Sequence, residues 1–166
     1  MAVREIRRLG DPRLYEVSLP VAREELKRLD SVIGDLHDTL LDFGQRYGAG
    51  RAIAAPQIGV MKRVIYVHVD RPVVLYNPLI EGESPDMVPV WDDCMCFPEL
   101  LVKVLRHKSC RIKYLNRDWA VESWDLDDGL AELLQHEYDH LDGILAVSRA
   151  IDGHSFALRS ERAMLA

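Results

Sequence analysis

The feature that most constrains this chain is a hydrophobic rhythm that changes twice. Leu26, Leu29, Ile33, Leu36, Leu40 and Phe43 recur at spacings of three and four, which places them on one stripe of a helix within 18–44. Ser18 and Pro20 suit its start and Gly44 its stop. His37, between Asp35 and Asp38 on that helix, reads as a surface residue. Beyond it the rhythm shortens to a partial alternation of Val, Ile and Tyr in five runs, 63–69, 73–78, 87–93, 110–116 and 121–126. Alternation broken by Pro, Gly, Asn and Asp predicts strands of a largely antiparallel sheet. The segment 81–86 reads as a turn or exposed loop. From about Asp128 helical spacing returns at Leu130, Leu133, Leu134, Tyr138 and Leu141, with Asp127 or Asp128 as the cap. This order predicts an α+β fold: a largely antiparallel β-sheet with an N-terminal helix and a central C-terminal helix across it.

The 166 residues suit one domain with a core of its own. A net charge of -6 argues against nucleic acid or an anionic membrane as the main partner, since both select basic surfaces. No apolar run approaches the roughly 18 residues of a membrane span, and the first residues lack the apolar stretch of a secretory signal. A cytoplasmic location is the expectation. Three cysteines, Cys94, Cys96 and Cys110, are an odd number for a disulfide framework and leave thiols for other work.

The second helix carries the chemistry. His136 and His140 are four apart, so on a helix their imidazoles share a face and can converge on one ion. Glu137 stands where it can reach a water on that ion. This is the His-Glu-x-x-His arrangement, two imidazole ligands and one carboxylate base. With six His and eleven Glu in the chain, chance produces it only about 0.014 times per sequence. A third protein ligand is needed, with one position left open. The three-histidine extension of zinc peptidases fails, because Gly143 is present but Ala146 stands where its last histidine belongs. Glu161, the only later glutamate, is a weak candidate. Cys94 and Cys96 are better ones, because thiolate binds such ions strongly. Two apart in a strand they point the same way, and spacing does not choose between them. If both coordinated, the shell would close into a structural site. Cys110, in a separate strand, is a poorer candidate.

Three segments, RAIAAPQIG (51–59), DDCMCFP (92–98) and QHEYDHLDG (135–143), resemble in order and approximate spacing the three signature motifs of peptide deformylases, and IRRLGDPRLY (6–15) followed by a long helix also fits. The resemblance covers nearly the whole chain. It implies Cys94, His136 and His140 as metal ligands, Glu137 as general acid/base, and the Gln57 side chain with the Met95 backbone N–H as oxyanion donors. It implies one divalent ion, Fe2+ in the cell, with Zn2+, Ni2+ or Co2+ as other occupants. The implied reaction removes the formyl group from the formyl-methionine of new polypeptides and releases formate. The implied partners are N-formylated nascent chains near the ribosome, for a protein expected to be monomeric. Gln135 and Asp139 are expected to orient the ligand histidines.

This chain departs from the motifs at defined points. Arg51 replaces an apolar residue, Ala52 and Asp93 replace glycines, Asp92 a glutamate and Cys96 a serine. Glycine at those two places lets a substrate backbone lie against the protein like an added strand, so side chains there crowd it. The resemblance implies Arg51, Ala52, Asp93, Glu132 and Leu133 as the substrate-contacting residues, with specificity expected to differ at Arg51 and Glu132. Arg106 is expected to pair with Asp92 and brace the cysteine segment. The alternatives are a hydrolase of another N-formyl compound and a non-catalytic metal-binding relative.

Overall fold

The computed structural model describes residues 2–165. Helix α1, Leu26–Tyr47, buries the predicted stripe of Leu29, Ile33, Leu36, Leu40 and Phe43. Its ends differ from expectation. A 3-10 turn, Arg23–Glu25, precedes it, and Leu19 is bridged to Lys62 instead of leading into the helix. Gly44 lies inside, and the helix stops at Gly48, whose φ is 64° and whose N–H donates to the Gly44 carbonyl. The left-handed backbone at that residue turns the chain out of the helix, which glycine does without strain, so Gly48, not Gly44, is the stop. His37 is half-buried, its Nδ1 2.6 Å from the Tyr66 hydroxyl, and is not a free surface residue.

Among the described residues eight strands follow, where five were predicted: β1 Ala52–Ala54, β2 Val64–His68, β3 Pro72–Glu81, β4 Met87–Asp93, β5 Leu100–His107, β6 Ser109–Leu115, β7 Val121–Asp127 and β8 Phe156–Leu158. They make two antiparallel sheets, β1-β2-β3-β6-β7 and β4-β5-β8. β1 and β8 are too short to show a period. β5 escapes the pattern because Arg106 occupies one of its buried positions beside Leu101, Val102 and Val104.

The five-stranded sheet is covered on both faces. Along β2, Val64 and Tyr66 join the cluster that holds the α1 stripe, while Ile65 and Val67 join a second one with Ala131, Leu134 and Leu141. Those three belong to helix α2, Asp128–Leu141. Burying a leucine such as Leu134 contributes about 2–3 kcal/mol. The other side of α2 meets β5, so the helix lies between the two sheets with Gln135, His136, Glu137, Asp139 and His140 all buried. Gly143, φ 70°, ends it where a Cβ would stand 2.5 Å from the Tyr15 carbonyl oxygen. No helix among the described residues is long and apolar enough to cross a membrane.

Candidate metal centre

His136 and His140 meet as the helical spacing requires, Nε2 to Nε2 at 3.2 Å. Cys94, the first residue after β4, brings its Sγ to 3.3 Å from His140 Nε2. The three ligand atoms lie within 4.8 Å of one another and all three residues are buried. A tetrahedral ion bonded to sulfur at about 2.3 Å and nitrogen at about 2.1 Å separates such atoms by roughly 3.4–3.6 Å. The donor set and its spacing therefore fit one divalent ion.

The two cysteines are not in a strand, as the sequence suggested. After Asp93 the chain leaves the ladder and turns, with Phe97 N–H donating to the Cys94 carbonyl. The Cys96 N–H then points at Cys94 Sγ, 3.4 Å away. Among the described residues only Cys94 converges with the histidines. Cys110 sits in the second hydrophobic cluster, where burial pushes its thiol up to about 11. Glu161 is exposed in the 3-10 turn Arg159–Met164.

Glu137 is 3% exposed, and its Oε2 has no hydrogen-bond partner. Burial pushes its carboxyl up to about 7, against the pull of His136. A buried polar atom without a partner is costly unless a ligand uses it. Gln57 comes from the 3-10 turn Ala55–Ile58. Its Oε1 accepts from the Ala54 N–H at 2.8 Å, which fixes the amide so that Nε2 faces the sulfurs of Cys94 and Cys96 at 3.9 and 3.7 Å. Met95 is buried and its carbonyl accepts from Arg8 Nη1 at 2.7 Å, holding that peptide in place.

The charges are uneven. Burial, then the His136 ring, hold the His140 imidazole well below its ordinary range, so it is a neutral ligand. Burial also pulls His136 down, but the Asp92 carboxylate outweighs it and holds it at about 9. Burial and the neighbouring Cys96 raise the Cys94 thiol far above the usual range. A bound cation acts the opposite way on His136 and Cys94, favouring neutral imidazole and thiolate.

The expected pair of Arg106 and Asp92 is formed, Nη2 to Oδ2 at 2.7 Å. Asp92 Oδ1 also lies 2.9 Å from His136 Nδ1, though off the line of a well-formed hydrogen bond. Asp92 is thus the carboxylate that reaches a ligand histidine. Gln135 and Asp139 do not touch one as expected. The Gln135 amide bonds both backbone groups of His107, at 2.9 and 2.8 Å, and so ties α2 to β5. Asp139 points away from the histidines and accepts from Arg106 and Arg149.

A cavity of about 70 Å³ opens beside this cluster. Gln57, Cys94, Met95, His136 and Glu137 line it, and so do Arg51, Ala52, Asp93, Glu132 and Leu133. Ala52 lies on β1, an edge strand of its sheet. Arg51 is exposed with Nη1 3.5 Å from the Gly129 carbonyl, and burial raises the half-buried Glu132 carboxyl. Asp93 is already paired, with Arg159 Nη2 at 2.8 Å. Phe43, Gly50 and Arg159 also line the cavity and were missed. Phe43 reads as core in any periodicity. Nothing in the sequence marks Arg159, which arrives because β8 pairs with β5, Leu158 opposite Leu100.

Residues 3–155 match the family model described as polypeptide deformylase. The peptide deformylase of Heliobacterium modesticaldum is 40% identical over 153 residues, covering 90% of this chain and 95% of its own. The crystal structure of peptide deformylase from Thermotoga maritima is similar with a TM-score of 0.83 at 29% identity, covering 92% of this chain and 100% of its own. A Met-Ala-Ser-bound structure of a class I type b peptide deformylase from Acinetobacter baumannii has a TM-score of 0.80 at 30% identity, covering 89% of this chain and 98% of its own.

Proposed function

The chain belongs to the polypeptide deformylase family, metal-dependent hydrolases that act on N-formyl peptides, and from that premise we propose how its own residues divide the work. Cys94, His136 and His140 hold one divalent ion, ferrous iron in the cell. The single observation that carries this reading is the buried convergence of Cys94 Sγ with the two histidine Nε2 atoms, beside a Glu137 oxygen that nothing else uses. When bound, the ion supplies Lewis-acid polarisation of the formyl carbonyl and makes water easier to deprotonate.

The remaining roles fall to the protein. Glu137, whose raised carboxyl suits a group that takes and returns a proton near neutrality, accepts the proton of the attacking water and passes it to the departing amine. Gln57 Nε2 and the Met95 N–H donate to the oxygen that gains negative charge, and one such donor is worth about 3 kcal/mol. Arg51, Ala52, Asp93, Glu132 and Leu133 contact the peptide, which lies along the free edge of β1. Asp92 steadies His136, and Arg106 steadies Asp92. The substrates are formylated nascent chains met near the ribosome in the cytoplasm, and the protein acts as a single-domain monomer.

Protein purified without oxygen tests this. Its metal content is measured in the same preparation as formate release from formyl-Met-Ala-Ser. One ion per chain and turnover that is lost with the ion are expected. Turnover independent of metal content, or a Cys94→Ser protein that keeps its ion as tightly as the wild type, overturns the assignment.

A further inference from the structure

The buried ion pair of Asp92 and Arg106 does not end at Arg106. Its other nitrogen, Nη1, contacts Asp139 Oδ2 at 2.5 Å. Asp139 in turn holds Arg149 by two bonds, Nε to Oδ2 and Nη2 to Oδ1, both 2.6 Å. Together with the 2.9 Å contact of Asp92 and His136 Nδ1, these make one unbroken series from Arg149 to a ligand imidazole. The side chains of Asp139, Arg106, Asp92 and His136 are 8%, 3%, 5% and 7% exposed, whereas that of Arg149 is 42% exposed. Arg149 is the one member that meets solvent.

We propose that Arg149 is a positioning residue for the metal centre, acting through Asp139, Arg106 and Asp92 on His136. The proposal rests on His136 being a ligand. Two carboxylates and two guanidiniums balance in this series. Without Arg149, two buried carboxylates share one cation, and buried charge of that kind is poorly tolerated. Arg106 already lies closest to Asp139, so it shifts further towards that carboxylate and loosens its hold on Asp92. Asp92 then no longer fixes the His136 ring, and groups that fix metal-bound imidazoles typically govern metal retention by 10–100-fold. A lysine keeps the charge at this position but not the paired, planar contact.

Arg63 supplies an internal control. It also grips α2, donating to Asp142 Oδ1 at 2.6 Å and lying over the Tyr138 ring, yet it has no contact with the series. The experiment measures release of the ion from Arg149→Met, Arg149→Lys and Arg63→Met to a chromophoric chelator, and the visible spectrum of the cobalt-loaded proteins. Release about tenfold faster for Arg149→Met, an intermediate rate for Arg149→Lys, a shifted cobalt spectrum for both, and wild-type behaviour for Arg63→Met are expected. Equal release from Arg149→Met and Arg63→Met overturns the proposal. Should Arg149→Met not fold, the double variant Asp139→Asn/Arg149→Met removes the unpaired carboxylate. It is expected to fold and to release the ion at the same rate as Asp139→Asn alone, because Arg149 acts only through Asp139, and clearly faster release from the double variant overturns the proposal. Cys94→Ser, in the same assay, reports separately on the ligand assignment.

Discussion

α1 and α2 cover opposite faces of the same sheet but bury different things. α1 turns an apolar stripe inward. Its buried Asp35 and Thr39 are taken up by the N-terminal segment, through the Ala2 and Arg4 N–H groups. α2 buries Ala131, Leu134 and Leu141 on one side and two histidines, two carboxylates and an amide on the other. Burying polar groups costs free energy that must be recovered elsewhere. α1 stabilises the fold, whereas α2 is stabilised by the fold so that it can hold unfavourable groups in one place. Chemistry and stability are therefore expected to separate cleanly between the two helices.

Glu137→Ala breaks the comparison hardest. Formyl-peptide turnover is expected to fall roughly a thousandfold, while thermal unfolding shows equal or higher stability, because the lost carboxyl was buried with an unpartnered oxygen. A large loss of stability would mean that Glu137 also supports the fold. Leu36→Ala in α1 is the converse. Leu36 is fully buried, so about 3 kcal/mol of stability is lost in urea unfolding, with kcat/KM of the folded protein near the wild-type value.

The helix ends sharpen the contrast further. At Gly48 a Cβ meets nothing within 4 Å, whereas at Gly143 it meets the Tyr15 and Glu16 backbone. Gly48→Ala then carries only the left-handed penalty, about 1 kcal/mol, and leaves activity alone. Gly143→Ala adds a clash that shifts the end of α2, so stability and metal retention both fall by more. Equal effects at the two glycines would show that the contact with Tyr15 does not hold α2.

Much of this was readable because it depends on neighbours along the chain. The α1 stripe, the alternating runs and the pairing of His136 with His140 all follow from local periodicity. Gly44 misled because a glycine shows where a helix can stop, while the left-handed backbone of Gly48 decides where it does. β5 was hidden by Arg106, a charge at an inward position, and that same charge proves to be central to the site. Gln135 and Asp139 were expected to orient the ligand histidines, yet Gln135 bonds the His107 backbone and Asp139 the guanidiniums of Arg106 and Arg149, partners that only the folded chain brings beside them.

By itself the sequence determined the α+β class, the helix that carries His136, Glu137 and His140, and the family resemblance, since each is written in spacing or in matched motifs. Cys94, which the resemblance already singled out over Cys96, is brought to the histidines by the turn after β4, and only the tertiary structure decided that Asp92 rather than Gln135 or Asp139 reaches a ligand ring and that Arg159 and Arg149 belong near the site at all. Those contacts join β4, β5, β8 and the segment after α2, which lie far apart along the chain. No local period encodes them, because they come into being only when two sheets close around one helix.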